Sequence, residues 1–417
     1  MNLLKTSFLS SIATVIKILT GFIVNKVIAI YVGPTGIAQI GQMQNFFSIV
    51  SNLSNFSISQ GVTKYVSFYG EEEEKQKKYI NAAITISVIA SLITGLLTVV
   101  LHKYLSIILL NSDQYSDIFI YIGIFLIFYA INSILLAAVN GFKKIRKFTL
   151  INVSQSLFSL VLSILLTVKW ELRGAMYAYV LSQTLVLFIS IGFLFKENWA
   201  RNIRLGKVDR SILKSYSNYT VMSMIHILTV PVSFIIIRNY ITNTLSLEDA
   251  GYWQGLSKIS DTYLMFITMS LSVYYLPRLS EIKDDLKLKK EIFDGYKLII
   301  PILSVILIAV YFMKDFAILI LYSEEFLEMS DLFLFQLIGD FFKIASWLIS
   351  FNMLVKEMTK QVIITELFYS ITLTVLSILF INMFGLIGVT YAYSLTYFLY
   401  FIMVAYMLRH ILFLKAK

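Results

Sequence analysis

The chain has 417 residues, 58% of them hydrophobic and 14% charged, with a mean hydropathy of +0.77 and a formal net charge of +10. An ordinary soluble domain of this length is far less apolar, so most of this surface is expected to meet lipid. There is no cysteine, which excludes a disulfide framework and a thiolate nucleophile, and the scattered histidines His102, His226 and His410 give no reason to expect a metal cluster or any other cofactor.

Apolar stretches of about 20 residues, enough to cross a bilayer core, recur from end to end. Twelve transmembrane helices are predicted, at 7–31, 37–61, 79–101, 118–139, 149–168, 174–195, 215–241, 250–277, 297–313, 331–354, 361–381 and 388–409. The first span is too long and too polar for a cleaved signal sequence and is expected to stay attached. Lys and Arg crowd into alternate loops, at 70–78, 143–147, 196–214 and 278–290 and at the C-terminus, whereas the intervening loops hold Lys103, Lys169, Arg173 and Lys314. Positive segments resist export, so both termini are expected in the cytoplasm. The excess charge then reflects topology and gives no reason to expect nucleic acid.

Three short identities recur at nearly one offset. Gly36-x-x-Gln39 returns as Gly251-x-x-Gln254, Leu162-Ser163-Ile164-Leu165 as Leu376-Ser377-Ile378-Leu379, and Gly174-x-x-Tyr177-Ala178-Tyr179 as Gly388-x-x-Tyr391-Ala392-Tyr393. The fold class expected is an all-α polytopic membrane protein with two six-helix lobes around a central cavity. The lobes would be 1–195 and 215–417, joined by the basic cytoplasmic linker 196–214. An even helix count per half keeps both halves in one orientation, related by an axis along the membrane normal, which suits a carrier rocking between inward and outward states.

Polar residues mark one edge of each half. In the second helix Gln42, Asn45, Ser48, Asn52, Asn55 and Ser59 are spaced by three or four and share a face; the eighth carries Gln254, Ser257, Lys258, Asp261, Met265 and Thr268 at comparable spacing. Interhelical hydrogen bonds account for a few such residues, but a stripe of this length points to a water-filled cavity lined by Gln42, Asn45, Asn52, Gln254, Ser257 and Asp261.

Five basic residues, Lys17, Lys26, Arg238, Lys258 and Lys343, fall too deep in predicted spans to reach headgroups easily and are costly unless solvated or paired. Lys64 and Lys297, near helix ends, can snorkel. Asp261 follows Lys258 by three residues and Asp340 precedes Lys343 by three, so neutralisation by helix neighbours is expected for those two lysines. Lys17, Lys26 and Arg238 have no acid within helix reach and are the stronger candidates for binding an external anion. Lys17 and Lys26, nine residues apart, point to opposite sides of a straight helix and share a cavity only if it bends, with Gly21 the expected place. Pro231 removes a backbone bond within the seventh helix and marks a hinge, whereas Pro34, Pro277 and Pro301 sit at helix ends. Glu366 has no basic residue three or four positions away, which makes it the first candidate for ion coupling; Asp340 is the second. The alternative for Glu366 is a buried pair with a lysine of another helix.

The landmarks run the length of the chain. They are Lys17 and Lys26, Gly33-Pro34-x-Gly36, Val62-Thr63-Lys64-Tyr65, Gly251-x-Trp253-Gln254-Gly255-x-Ser257-x-Ile259-Ser260-Asp261-x-Tyr263-Leu264-x-Phe266-Ile267-Thr268, and Ser272-Val273-Tyr274-x-Leu276-Pro277. Asp315-Phe316-Ala317-Ile318, Asp331-Leu332-Phe333-x-x-Gln336-Leu337-x-Gly339-Asp340 and Thr365-Glu366 complete them. In these the chain resembles the bacterial O-antigen translocase family, which includes flippases for the lipid precursor of enterobacterial common antigen, within the multidrug/oligosaccharidyl-lipid/polysaccharide exporter superfamily. The resemblance implies a V of two lobes with a cationic cavity in the bacterial inner membrane. It implies movement of an undecaprenyl-pyrophosphate-linked oligosaccharide from the cytoplasmic to the periplasmic leaflet, for lipopolysaccharide or related polysaccharide biosynthesis. The basic residues agree, since a pyrophosphate needs fixed positive charge: Lys26, Arg238, Lys17, Lys258 and Lys343 are its candidate ligands.

No nucleotide-binding loop is present, so energy is expected from a proton or sodium gradient, the membrane potential or consumption of substrate on the far side. Polymerase and chain-length proteins of such a pathway are candidate contacts. An ion-coupled multidrug exporter of the same superfamily is the first alternative, and would need an acidic cavity. A pathway polymerase or ligase would need a large exported loop, and the longest here are 103–117 and 314–330. A membrane component of a polysaccharide assembly complex without transport activity is the remaining alternative; it would show a packed seam with no solvent path.

Overall fold

The computed structural model describes the backbone of residues 3–70, 72–271, 275–282, 284–356 and 358–412, and their side chains apart from 3–12, 217–227, 266, 269–270, 276–277, 280 and 354. The Ser272-Val273-Tyr274 landmark and the His226 side chain lie outside the described residues. In chain order the helices are α1 (Leu3–Ser54), α2 (Ser59–Phe68), α3 (Glu73–Val100), α4 (His102–Leu110), α5 (Ser116–Gly141), α6 (Ile145–Thr184), α7 (Val186–Leu194), α8 (Asn198–Arg201) and α9 (Arg210–Thr244). They continue as α10 (Leu247–Ser270), α11 (Leu276–Glu281), α12 (Asp285–Phe312), α13 (Lys314–Leu321), a 3₁₀ helix (Glu324–Leu332), α14 (Phe333–Val355), α15 (Thr359–Phe384), α16 (Ile387–Met407) and α17 (Arg409–Leu412). No strand occurs among the described residues.

Eight helical stretches among the described residues are long and apolar enough to cross a membrane. Two of them, Ala13–Ser54 with 42 residues and Ile145–Leu194 with 50, have the length of two crossings each. Each is broken where the sequence predicts a loop. The break in α1 is at Gly33 (φ 67°, ψ −169°), just before Pro34; that in α6 is at Trp170 and Glu171, where Glu171 takes φ 47°. With α9 and α10 covering the seventh and eighth predicted spans, each of the twelve has its helix. The ninth begins earlier than predicted, at Asp285, so that Pro301 falls inside α12 and not at a helix end, and the second ends earlier than predicted. α1 stops at Ser54, and Phe56 and Ser57 turn to positive φ before α2 begins at Ser59. The cause is local: the Asn55 carboxamide accepts the Ser57 backbone N–H at 2.8 Å, offering the chain a turn in place of the helical ladder.

By internal contacts the chain forms two compact units, Met1–Val32 with Gln39–Pro231, and Gly33–Ala38 with Val232–Lys417. In unit 1, α3 packs along α5, and α2 and the start of α9 close the end of that pair around Tyr65, Tyr79 and Tyr216. The Tyr216 hydroxyl donates to the Tyr79 carbonyl at 3.0 Å. Unit 2 is built on α16 lying against both α14 and α15.

The repeat in the letters is also a repeat in geometry. A Cβ on Gly174 would lie 1.9 Å from the carbonyl oxygen of Leu166, and a Cβ on Gly388 would lie 2.1 Å from that of Phe380. In each unit the chain has just reversed, at Trp170–Glu171 in one and at Gly385 (φ 66°) in the other. The new helix starts with its backbone against the end of the old one, which only glycine allows.

At the start of the linker, which lies within unit 1, the Glu197 carboxylate takes ion pairs from both Lys144 and Lys147. Burial alone would raise its pKa, but the two ammonium groups outweigh burial and hold it below the ordinary carboxylate range. A depressed carboxylate contributes stability above its unfolded pKa of about 4.3, and the contribution is lost as the pH falls through the folded value. Glu197→Gln should therefore destabilise the detergent-solubilised protein at neutral pH by up to about 1 kcal/mol, since the lysines are partly exposed. The gap in thermal midpoint from the parent should close below about pH 4. A gap of constant size down to about pH 3 would assign the effect to packing instead.

Candidate functional site

Three helices of unit 2 bring chemistry together. Along α14, Asp340, Lys343 and Trp347 are spaced by three and four and share a face; on α16 Tyr393, Tyr397 and Tyr400 do the same, and α10 supplies Ser260, Asp261 and Tyr263. Asp340 is wholly buried. One of its oxygens accepts from the Ser260 hydroxyl at 2.6 Å and from the Tyr263 hydroxyl, and the other from the Tyr393 hydroxyl at 2.8 Å. Gln336 backs the arrangement by donating to the Ser260 oxygen at 3.3 Å. Three hydroxyl donors converging on one carboxyl make a cradle for a charged acceptor at membrane depth.

Lys343 lies one turn along α14, with Nζ 3.6 Å from Asp261 Oδ1 and over the rings of Trp347 and Tyr397 at 5.5 and 5.8 Å. Lys343 thus has a cross-helix acid, Asp261, in addition to its helix neighbour Asp340. Asp261 pairs across helices with Lys343, and Asp340 is satisfied by hydroxyls. The reason is placement: Asp340 is closed in by α10 and α16, so its lysine neighbour reaches outward to the exposed Asp261. Tyr397 also packs against Tyr369 at a tilt and against Tyr393 edge-on, with centroids 4.9 and 4.8 Å away. Glu366, half-buried on α15, is within electrostatic reach of Tyr369, Tyr397 and Tyr400.

A second cluster in unit 2 surrounds Arg238 on α9. The residue is only 2% exposed; its Nη2 donates to the Gln254 side-chain oxygen, and the guanidinium lies 5.5 Å from the centre of the Trp253 ring. Trp253 in turn stacks on Phe234 at 5.2 Å and 11°. Gln254, expected to line a cavity, is thus a ligand of the arginine. Lys258 is exposed and Ser257 half-buried.

In unit 1, Lys17 is exposed and Lys26 half-buried. The backbone keeps helical angles through Gly21, and the break in α1 comes at Gly33. The polar stripe divides. Gln42 is buried and Asn45 and Asn52 half-buried, with Asn52 donating to the Ser48 carbonyl at 2.7 Å. At the far end Asn55 and Ser59 both bond Ser133 of α5, at 3.3 and 2.8 Å, so interhelical hydrogen bonding accounts for that part. Pro231 lies inside α9, where the chain passes from unit 1 to unit 2.

The roles of Ser260, Tyr263 and Tyr393 around Asp340, and of Trp253 against Arg238, are visible only in the structure. All four stand in motifs already singled out, the first two and Trp253 in the long landmark and Tyr393 in the repeat. What was missing was the pairing between helices.

A family model described as "Polysaccharide biosynthesis protein" matches residues 3–283. The lipid III flippase of Escherichia coli (strain K12) is 28% identical over 402 residues, covering 96% of this chain and 97% of that protein, and the lipid III flippase of Shigella flexneri matches to the same extent. Among solved structures, the inward-facing conformation of a multidrug resistance MATE family transporter of the MOP superfamily superposes with a TM-score of 0.78 at 13% identity, covering 97% of this chain and 96% of that one. The lipid II flippase MurJ in its inward closed conformation gives 0.71 at 15% identity, covering 97% and 87%. The fold is therefore that of this transporter superfamily.

Proposed function

The chain belongs to the polysaccharide biosynthesis protein family, and from that premise we propose that it is a flippase carrying a polyprenyl-pyrophosphate-linked oligosaccharide from the cytoplasmic to the periplasmic leaflet of a bacterial inner membrane. The observation that carries this reading is the end-to-end kinship with the lipid III flippases. The drug-exporter alternative draws on the shared fold alone. In this reading both termini are cytoplasmic, the lobes are 1–195 and 215–417 with 196–214 between them, and they alternate between inward and outward states about a hinge at Pro231. The division of the two compact units at that proline supports the hinge.

The roles divide by chemistry. Lys17, Lys26, Lys258, Lys343 and Arg238 supply the positive charge that a pyrophosphate needs. Asp340 in its hydroxyl cradle, with Glu366 as the second acid, takes up the proton or sodium ion that resets the empty carrier. A carboxyl shielded from water on every side changes protonation only when the helices around it shift, and that links ion uptake to conformation. The polymerase and chain-length proteins of the pathway are the proposed neighbours in the membrane. Depleting the protein should make lipid-linked sugar accumulate on the cytoplasmic face; unchanged delivery to the far face would sink the reading.

For the pyrophosphate contacts, Arg238→Ala and Lys26→Ala should each weaken substrate binding roughly ten- to a hundredfold, the range for one lost charged hydrogen bond. Arg238→Lys should retain only part of the activity, because it keeps the charge but loses the guanidinium hydrogen bond to Gln254 and the planar contact with Trp253. Full complementation by both alanine variants at native expression levels would remove these residues from the mechanism.

A further inference from the structure

The strongest feature outside the candidate site lies in unit 1, where the linker crosses the start of α3. The linker backbone is tied down there: the Arg204 N–H donates to the Asn81 side-chain oxygen at 3.1 Å, and the Gly206 N–H to the Thr85 hydroxyl at 3.3 Å. Beneath this crossing is a polar pocket of about 380 Å³ lined by Lys78, Asn81, Thr85, Arg204, Lys207 and Asp209, so three cations face one acid. Next to it is an apolar groove of about 500 Å³, walled by Ile84 and Val88 of α3, Ile131 and Leu135 of α5, and Phe195. The two share Leu205 as a common wall.

Their order along α3 is informative. Lys78 is in the second turn of the helix, and Ile84 and Val88 are six and ten residues further on, about 9 and 15 Å deeper at 1.5 Å per residue. A basic pocket at the mouth of a membrane-spanning helix, opening into an apolar groove that descends along it, has the polarity profile of a lipid molecule.

We propose that the linker and α3 form a binding site for an anionic glycerophospholipid, with its phosphate among Lys78, Arg204 and Lys207 and one acyl chain in the groove beside Leu205. A zwitterionic lipid leaves the surplus positive charge unmatched, whereas one carrying a net negative charge neutralises it. Bound there, the lipid fastens the linker to α3. The proposal is independent of what the protein transports.

Native mass spectrometry of the full chain, released from nanodiscs of mixed phosphatidylglycerol and phosphatidylcholine, tests it. Retained phosphatidylglycerol should exceed phosphatidylcholine roughly tenfold. The triple variant Lys78→Gln, Arg204→Gln, Lys207→Gln should lose that preference with an unchanged thermal midpoint, since all three side chains are exposed. Asp209→Asn should strengthen retention by removing the one acid. Equal retention of the two lipids, or a preference that survives in the triple variant, would overturn the proposal. Added undecaprenyl pyrophosphate that displaces phosphatidylglycerol at equimolar concentration would also overturn it, and would assign the pocket to a polyprenyl pyrophosphate.

Discussion

Asp340→Asn is expected to abolish the response of transport to an imposed proton or sodium gradient and to slow turnover at least tenfold while the protein still binds substrate. The carboxylate receives three hydroxyl donors. A carboxamide has a single acceptor oxygen and brings its own N–H donors, so at least one of Ser260, Tyr263 and Tyr393 loses its acceptor or must rotate away. Leaving a buried donor unsatisfied costs about 1–3 kcal/mol, which a multi-helix membrane protein tolerates but which is visible as a lower thermal midpoint. Tyr393→Phe removes one donor and leaves the acid, so it should retain gradient dependence at reduced rate. The contrast separates ion coupling from packing. Glu366→Gln is the comparison at the second acid. If Asp340→Asn keeps its gradient dependence and Glu366→Gln loses it, the coupling group is Glu366 and the Asp340 cradle is structural.

Gly388→Ala should prevent unit 2 from closing. The added Cβ would lie 2.1 Å from the Phe380 carbonyl oxygen and 2.8 Å from the Ile381 nitrogen, distances that no Cβ contact sustains, and both atoms belong to the backbone at the end of α15. Relief requires α15 and α16 to part at their turn, with an expected loss of about 3 kcal/mol or more. Gly174→Ala should behave alike, since its Cβ would meet the Leu166 carbonyl at 1.9 Å. Gly21→Ala and Gly192→Ala are the controls. Both glycines are helical with nothing within 4 Å of the added carbon, so alanine there should be neutral or slightly stabilising. Thermal midpoints and folded yield of the four variants check the set. Equal yields across all four would mean that the two tight turns relax at no cost, and the geometric repeat would then carry no constraint.

The helices were legible because crossing a bilayer needs about 20 apolar residues, a signal that survives in a single sequence. The breaks were legible only in part. Gly33-Pro34 announces itself by composition, whereas a positive φ at Glu171 has no residue-level signature and follows from the tight reversal into Gly174. The turn at Asn55 was hidden because its residues also fit the polar stripe. At the site, Asp340 and Lys343 were identifiable as costly residues at depth, but their partners are set by packing between α10, α14 and α16. Helix periodicity places Lys343 beside Asp340; tertiary structure gives it Asp261. Arg238 stood out by charge, and its burial against Gln254 and Trp253 could not be inferred from spacing alone.

The central claim is tested most directly by reconstituting the purified protein into vesicles that carry a fluorescent polyprenyl-pyrophosphate-linked oligosaccharide and following its exposure to a membrane-impermeant quencher. Substrate initially protected in the inner leaflet should become quenchable at a rate set by the protein, respond to an imposed ion gradient, and lose that response with Asp340→Asn. Quenching no faster than in protein-free vesicles, or equally fast for a phosphatidylcholine reporter lacking the pyrophosphate-sugar head, would contradict it.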